Sequence, residues 1–579
     1  MSQLALEKLK AQFPAEMLGT TSQFGNETAT VKRDKWIEIV QFLRDEPSLQ
    51  FDLMMDLCGV DFPGRDERFE VVVHLYSTST KQRLRLKTRC PSEDPVIPSI
   101  SSLYLTVDWY EREAYDLFGI RFSGHPNLKR ILCHHEFEGH ALRKDFPYNK
   151  RGKIPTPESL FDELQKQPRL ELDKDESDWN EPDLPTKDLA HEAMYLNIGP
   201  SHPAMHGCFR VLVDLDGEVI TRSVAEIGYL HRCFEKEAET HDYTQTIPYT
   251  DRLNYLSALM NNVGYCKAVE GLLQLEIPER AIWIRMLICE LNRIMDHLIC
   301  IGTNLVDIGA LTNFWYFFNV RETMTDWVEA LCGARLTTNY TRIGGLMRDV
   351  PANTDTYLRS CLKELAVAIR DVEGLLLKNR IFLDRTQGVG AIGAAEAISF
   401  GFTGPCLRAC GVDYDVRRAH PYYFYNDVHW DIPVGKHGDS FDRIFVRFEE
   451  MKQSARLVEQ ILDRLKNVSG PIMTADRHVA LPAKDEVYGS IEGMMQHFKL
   501  VMHGIKPPAG EIYSFTEAAN GELGFYIVSD GSNKPYRIKV RPPCFTLYQA
   551  YPRLINGGMI ADAITVLGNL NIVAGEIDR

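Results

Sequence analysis

Two histidines four residues apart, His202 and His206, lie in the stretch GPSHPAMHG at residues 199–207. On a helix that spacing would put both imidazoles on one face, as in a metal-binding HExxH segment. Pro203 disrupts a helix entering from Ile198, Gly199, Pro200 and Gly207 favour turns, and the general-base Glu is missing. The expectation is a tight loop presenting two imidazoles, not a metal pair. Three further groups carry reactive side chains. IGYLHRCFEK (227–236) clusters His231, Arg232, Glu235 and Lys236, and PYTDRLNY (248–255) ends on Tyr255. In the long apolar stretch 281–310, Arg293, His297 and Asn304 fall within a narrow arc at ~100° per residue, with Asp307 near its edge. Polar groups on an apolar helix need partners. Arg293 is either part of an internal ion network or functional; Asp307, near a helix end marked by Gly309, is read as a functional carboxylate.

Two other motifs are decoys. GVGAIG (388–393) fits GxGxxG with Asp413 further on, but it follows the polar NRIFLDRTQ and not a buried strand, so dinucleotide binding is not expected. CHHEFEGH gathers Cys133, His134, His135, Glu136 and His140 without a matching second ligand pair, and reads as a surface loop and not a metal site.

The elements that must position these groups follow from composition and periodicity. A chain of 579 residues exceeds one ordinary core, and 44% hydrophobic with 25% charged residues is a soluble globular balance. A net charge of −15 argues against nucleic acid as the main partner. The 13 cysteines include no CxxC pair, which points to reduced thiols and to no plausible set of cluster ligands. The stretch 281–310 holds Arg285, Glu290, Arg293, Asp296 and His297, so a buried helix is expected and not a membrane span. The N-terminal segment does not read as a secretory signal.

Residues 1–148 read as an α+β unit. Asp34 is expected to cap a helix over WIEIVQFL, and strands are expected over 69–77 and 83–89. On the second strand Arg83, Arg85, Lys87 and Arg89 alternate with Leu84 and Leu86, read as a solvated basic face in preference to one docked on acidic groups. Residues 149–190, rich in proline and acid, read as a flexible linker. Residues 191–579 open with a hairpin signalled by Asp216-Gly217, then become mainly helical over 252–272, 278–306, 315–334, 354–380 and 440–466, with strands returning between 509 and 548.

Here a resemblance enters. WYEREAYDLFGIRFSGHPNLKRIL and GHALRKDFP resemble the signature of the C-type subunit of respiratory complex I, while GPSHPAMHG, IGYLHRCFEK, PYTDRLNY and LGNLNIVAGEIDR resemble the D-type. Together they cover nearly the whole chain, in the order of the fused C/D subunit of some bacterial proton-pumping NADH:quinone oxidoreductases. The resemblance implies an α+β domain joined by an acidic linker to a mainly helical domain with small antiparallel sheets, the latter similar to the large subunit of NiFe hydrogenases. Hydrogenase activity is the competing function and is disfavoured, because the two CxxC pairs that would hold nickel and iron are missing. A purely structural scaffold is the third reading.

In the family, residues matching His206 and Tyr255 hydrogen-bond a quinone headgroup such as that of ubiquinone, the one matching Asp307 pairs with the histidine, and the one matching Arg232 lies beside a 4Fe-4S cluster of a neighbouring subunit. An imidazole and a phenol can each donate a hydrogen bond to a carbonyl oxygen and then pass on a proton. His202 is expected to brace the loop. The resemblance implies an NADH:quinone oxidoreductase (translocase) within a multisubunit complex, with quinone as substrate and no cofactor or metal bound by this chain alone. Its partners would be other complex I subunits, especially the terminal-cluster-bearing subunit and the membrane subunit at the quinone channel. The implied place is peripheral, on the cytoplasmic face of the bacterial inner membrane. Three departures stand out: Cys233 replaces a usual glycine, Asn254 a commonly acidic residue, and Thr337 a histidine of many members.

Overall fold

The computed structural model describes residues 2–147, 149, 160–170 and 194–579. Its first sheet has five strands in the order Met17–Gln23, Asn26–Val31, Arg83–Cys90, Phe69–Tyr76, Leu53–Asp61. All neighbours are antiparallel except Asn26–Val31 with Arg83–Cys90. The helix Val107–Phe118 packs on the strand Leu53–Asp61, where Gly59 permits the approach: a Cβ there would lie 2.7 Å from the Phe118 ring. Asp34 does not cap the next helix. It sits inside a 3-10 turn, Arg33–Lys35, and the helix Trp36–Asp45 starts without a side-chain cap.

Arg83–Cys90 corrects the solvated-face reading. Arg83, Arg85 and Lys87 are buried, because the sheet Gly510–Ala518, Gly521–Ser529, Arg537–Arg541 covers that face with carboxylates. Arg83 donates to Glu522 Oε1 and Oε2 at 2.9 and 2.6 Å, and Lys87 to Glu70 at 2.8 Å and Glu511 at 2.6 Å. Alternation fixed which side chains share a face; it carried no information about what lay opposite.

The expected linker lies outside the described residues apart from Asn149 and 160–170. Within the latter, Leu160 and Leu164, at the start of and within the helix Phe161–Lys166, pack with Leu212 and Val224 of a three-stranded sheet, Met194–Ile198, Arg210–Asp216, Val219–Glu226. Gly217, at φ 60°, turns the hairpin there.

The rest is mainly helical around Glu279–Asp307, 29 residues long and packed by Ala258–Leu273, Leu311–Cys332, Ser440–Leu465 and Ile560–Leu570. Several of its charged residues are paired within the core: Arg285 donates to both Glu270 oxygens at 2.6 and 2.7 Å, and His297 shares a 2.8 Å bond with Glu450. Arg293 belongs to an ion network, donating to Glu290 and to the Glu517 and Ala518 carbonyls. Against the push of burial, Arg408 and His297 hold Glu450 well below the usual carboxylate range. No helix among the described residues is long and apolar enough to cross a membrane.

Candidate functional site

The histidine loop begins where the strand Met194–Ile198 ends. A single 3-10 turn, Pro203–Met205, follows, and His202 Nδ1 accepts the Ala204 N–H at 3.2 Å, tying the loop to itself. His206 ends that turn at φ 53°, a left-handed conformation. Its Nε2 meets Asp307 Oδ2 at 2.7 Å. Asp307 is the last residue of the long helix, whose C-terminal carbonyls disfavour an anion by about 0.3–1 kcal/mol, so a cationic partner suits that position.

Tyr255 is not on a helix. The helix expected from residue 252 starts at Ala258, and residues 251–256 form turns. The cause is local: Asn254 Oδ1 accepts the Leu256 N–H at 3.1 Å and its carbonyl accepts from Asn261 Nδ2 at 2.9 Å, alternatives to the helical ladder. The Asn254 amide also donates to Asp296 Oδ2 at 3.0 Å. Tyr255 is half-buried, and burial, followed by the Cys544 and Cys208 thiols, pushes its hydroxyl above the ordinary phenol range. The phenol is therefore protonated at neutral pH.

Ala574 and Gly575 join these two loops. A Cβ on Gly207 would lie 3.0 Å from Ala574 Cβ, and one on Gly575 would lie 2.3 Å from the Arg252 carbonyl oxygen and 3.4 Å from Tyr255 Cδ1. Tyr255 and Gly575 line a cavity of about 830 Å³ together with Arg232, Tyr249 and Arg252. Arg232 is exposed and makes no ion pair among the described residues. The structure thus pairs His206 with Asp307 and sets Tyr255 with Arg232 in one cavity, which His206 and Asp307 do not line. The loop before Arg232 is held by Asp578, whose carboxylate accepts from Gly228 and Leu230 and whose carbonyl accepts from His231 Nδ1 at 2.6 Å.

Thr337 lies on the loop after the helix Leu311–Cys332. Both motifs set aside in the sequence lie in loops. Gly388 donates to Asp439 at 2.8 Å in a loop between two short helices, with no strand leading in. In the CHHEFEGH loop the Cys133 N–H donates to the Asp116 carboxylate and His140 Nδ1 bonds the Asp116 carbonyl. Among the described residues no three His, Cys, Asp or Glu side chains converge as metal ligands.

Sequence reasoning missed a polar cluster behind Tyr255. Cys544 and Glu576, both buried, lie 2.7 Å apart (Sγ to Oε2), beside Asn520, Asn571 and Asp296. The available signal was GEIDR, a burst of charge closing an apolar run, all of it buried here.

The family model described as "Respiratory-chain NADH dehydrogenase, 49 Kd subunit" matches residues 307–579, and that described as "Respiratory-chain NADH dehydrogenase, 30 Kd subunit" matches residues 29–152. The chain is 48% identical over 579 residues to the C/D subunit of NADH-quinone oxidoreductase of Bdellovibrio bacteriovorus, covering 99% of this chain and 100% of that relative. It is 50% identical over 391 residues to the D subunit of NADH-quinone oxidoreductase of Myxococcus xanthus, covering 68% of this chain and 94% of the relative. The corresponding D subunit of Leptospira biflexa strain Patoc 1 is 47% identical over 392 residues, covering 68% of this chain and 96% of the relative.

Proposed function

Because the chain belongs to the family of fused C/D subunits of NADH-quinone oxidoreductase, we propose that it forms the chamber in which that complex reduces quinone to quinol. Residues 191–579 build the chamber, residues 1–148 dock it within the assembly, and 149–190 link them. The observation that carries the reading is the 2.7 Å bond between His206 Nε2 and Asp307 Oδ2. It commits Nε2 to the carboxylate and leaves Nδ1 as the nitrogen to meet a quinone carbonyl.

Reduction of a quinone takes two electrons and two protons. His206 and Tyr255 each donate a hydrogen bond to a carbonyl oxygen and then a proton, while Asp307 holds the imidazole in orientation. The electrons come from a 4Fe-4S cluster held by a neighbouring subunit. Arg232, exposed at the cavity and without an ion pair among the described residues, suits a position facing the added negative charge of a reduced centre. The partners are that subunit and a membrane subunit at the cavity mouth, which supplies the membrane contact and holds the chain on the cytoplasmic face.

Tyr255→Phe tests this. It removes one hydroxyl and keeps the ring, so packing is little disturbed. Quinone reduction in membranes should fall roughly a hundredfold, the scale of a lost general acid, while electron transfer to an artificial acceptor upstream and assembly persist. Unchanged quinone reduction in an assembled complex would leave the chain a scaffold.

A further inference from the structure

A second cavity, of about 530 Å³, lies where the five-stranded sheet meets the strand Gly510–Ala518 and the helix Ala258–Leu273. It shares no lining residue with the Tyr255 cavity. We propose that it binds a small organic oxyanion, a carboxylate or a phosphate monoester, with Lys267 as the cation that holds it. Its size falls within the roughly 300–1,000 Å³ usual for small-ligand sites.

Lys267 is half-buried in the cavity wall and makes no ion pair among the described residues. Its ammonium donates to the Ser514 hydroxyl and the Phe515 carbonyl, each at 3.1 Å, so one of its three N–H groups is left for a ligand. The other two lining cations are already engaged. Arg83 is held by Glu522, and Arg85 donates to Asn26 at 2.9 Å and lies 3.3 Å from Glu511; neither carboxylate lines the cavity. Glu27 is the one carboxylate in the lining, and Ser22 donates to it at 3.0 Å.

The donors converge on one ring. Arg83 lies 3.6 Å from the Phe515 centroid, and Lys267 Nζ and the His420 ring each lie 5.6 Å from it. His420 Nε2 is buried without a hydrogen-bond partner among the described residues, as are Arg83 Nε and His74 Nδ1, the last 3.9 Å from Asp56. Buried polar nitrogens are nearly always bonded. An oxyanion supplies acceptors to Lys267 and to His420 Nε2, and the rings of Tyr422, Tyr513 and Phe515 give its organic body an apolar bed.

The charges around Lys267 set a pH dependence. Burial pushes its ammonium down to about 8; Glu270 on its own helix and Glu522 oppose that shift, and Arg83 adds to it. Burial, with Arg83 next, holds His420 down at about 3, and burial with Arg85 keeps His74 well below its ordinary range, so both imidazoles are neutral near pH 7. Lys267 is the group whose charge changes near neutrality, and a bound anion favours its charged form. Affinity should therefore be full below about pH 8 and fall as pH rises above it.

The test is equilibrium dialysis of the purified, assembled complex against radiolabelled benzoate and phenyl phosphate, with benzyl alcohol as the uncharged ring. Wild type should take up one anion per chain, and benzyl alcohol should not bind; the tighter of the two anions identifies the head group. Lys267→Met keeps the length of the side chain and should weaken binding at least tenfold, the scale of a lost charge-assisted hydrogen bond. Wild-type affinity should be lower at about pH 9 than at about pH 7, and Lys267→Met should lose that difference. If Lys267→Met does not assemble, His420→Phe carries the test, because it keeps the ring contacts and removes Nε2; it should weaken binding several-fold. Neither anion binding, equal binding by benzyl alcohol, or anion binding that these variants leave unchanged would overturn the proposal.

Discussion

At the scale of single residues, the departures from the family pattern acquire physical meaning. Cys233 heads the helix Phe234–Thr240 at φ 55°, a left-handed conformation that costs a side-chain-bearing residue about 1 kcal/mol and a glycine nothing. Cys233→Gly should therefore stabilise by about 0.5–1 kcal/mol, visible as slower thermal inactivation of quinone reduction. Faster inactivation would mean that the 3.5 Å contact from Cys233 Sγ to His231 Nε2 matters more than the backbone. Asn254 is the opposite case. Its amide donates to buried Asp296, and Asn254→Asp would set two carboxyl groups together. The new acid, buried beside an anion, would have a folded pKa raised above its unfolded value, so the folded state would hold the extra proton. Destabilisation should be smallest at acid pH and grow to about 2–4 kcal/mol as pH rises through the carboxylate range, as denaturation at pH about 5 and about 8 would reveal. The sequence pointed to Asp307 through its place at the edge of a polar arc, but its pairing with His206 came only from resemblance. Glu576 was missed because the charge burst GEIDR is too short to show a periodicity that would assign it to a buried face.

At the scale of elements, the two longest helices were readable end to end, and the ends of the others were not. Glu279–Asp307 and Ser440–Leu465 lie within a residue of their expected spans, because their apolar spacing is sustained over many turns. The start expected at residue 252 failed because apolar spacing says nothing about an asparagine that prefers to bond its own backbone. That failure matters for the site, since the turn and not a helix aims Tyr255. What holds the turn is the close passage of Gly575. Gly575→Ala would place a Cβ 2.3 Å from the Arg252 carbonyl oxygen, a contact that backbone must move to relieve. Quinone reduction should drop by an order of magnitude or more, since small misplacements of this kind can cost about a hundredfold, while assembly and upstream electron transfer remain. Normal activity would mean that the position of the turn does not limit the chemistry.

At the scale of the whole molecule, charge joins the five-stranded sheet to the last three-stranded one. Lys539 and Arg579 both donate to Glu113 Oε1 at 2.6 Å, Arg541 to the Met55 carbonyl at 3.1 Å, and Arg83 to Glu522, which Tyr414 and Tyr513 also bond. Apart from Tyr513, which sits in the same hairpin as Glu522, these partners are distant in sequence, which is why no local pattern foretold them. Buried pairs of this kind contribute less by existing than they cost when halved. Arg83→Met alone would strand Glu522 among two phenols and should destabilise by about 3–5 kcal/mol, whereas Arg83→Met with Glu522→Leu should recover most of that loss. The sign of the pH dependence separates this from a packing defect. Burial pushes the Glu522 carboxyl up, but Arg83 pulls it down further, leaving it below its ordinary value. Its contribution is therefore complete above the unfolded carboxylate range and is lost as pH falls through the folded pKa. The gap between single and double variants should be wide at neutral pH and close in acid, as denaturant unfolding at the two conditions would measure; a gap that does not narrow in acid would assign the effect to shape and not to charge.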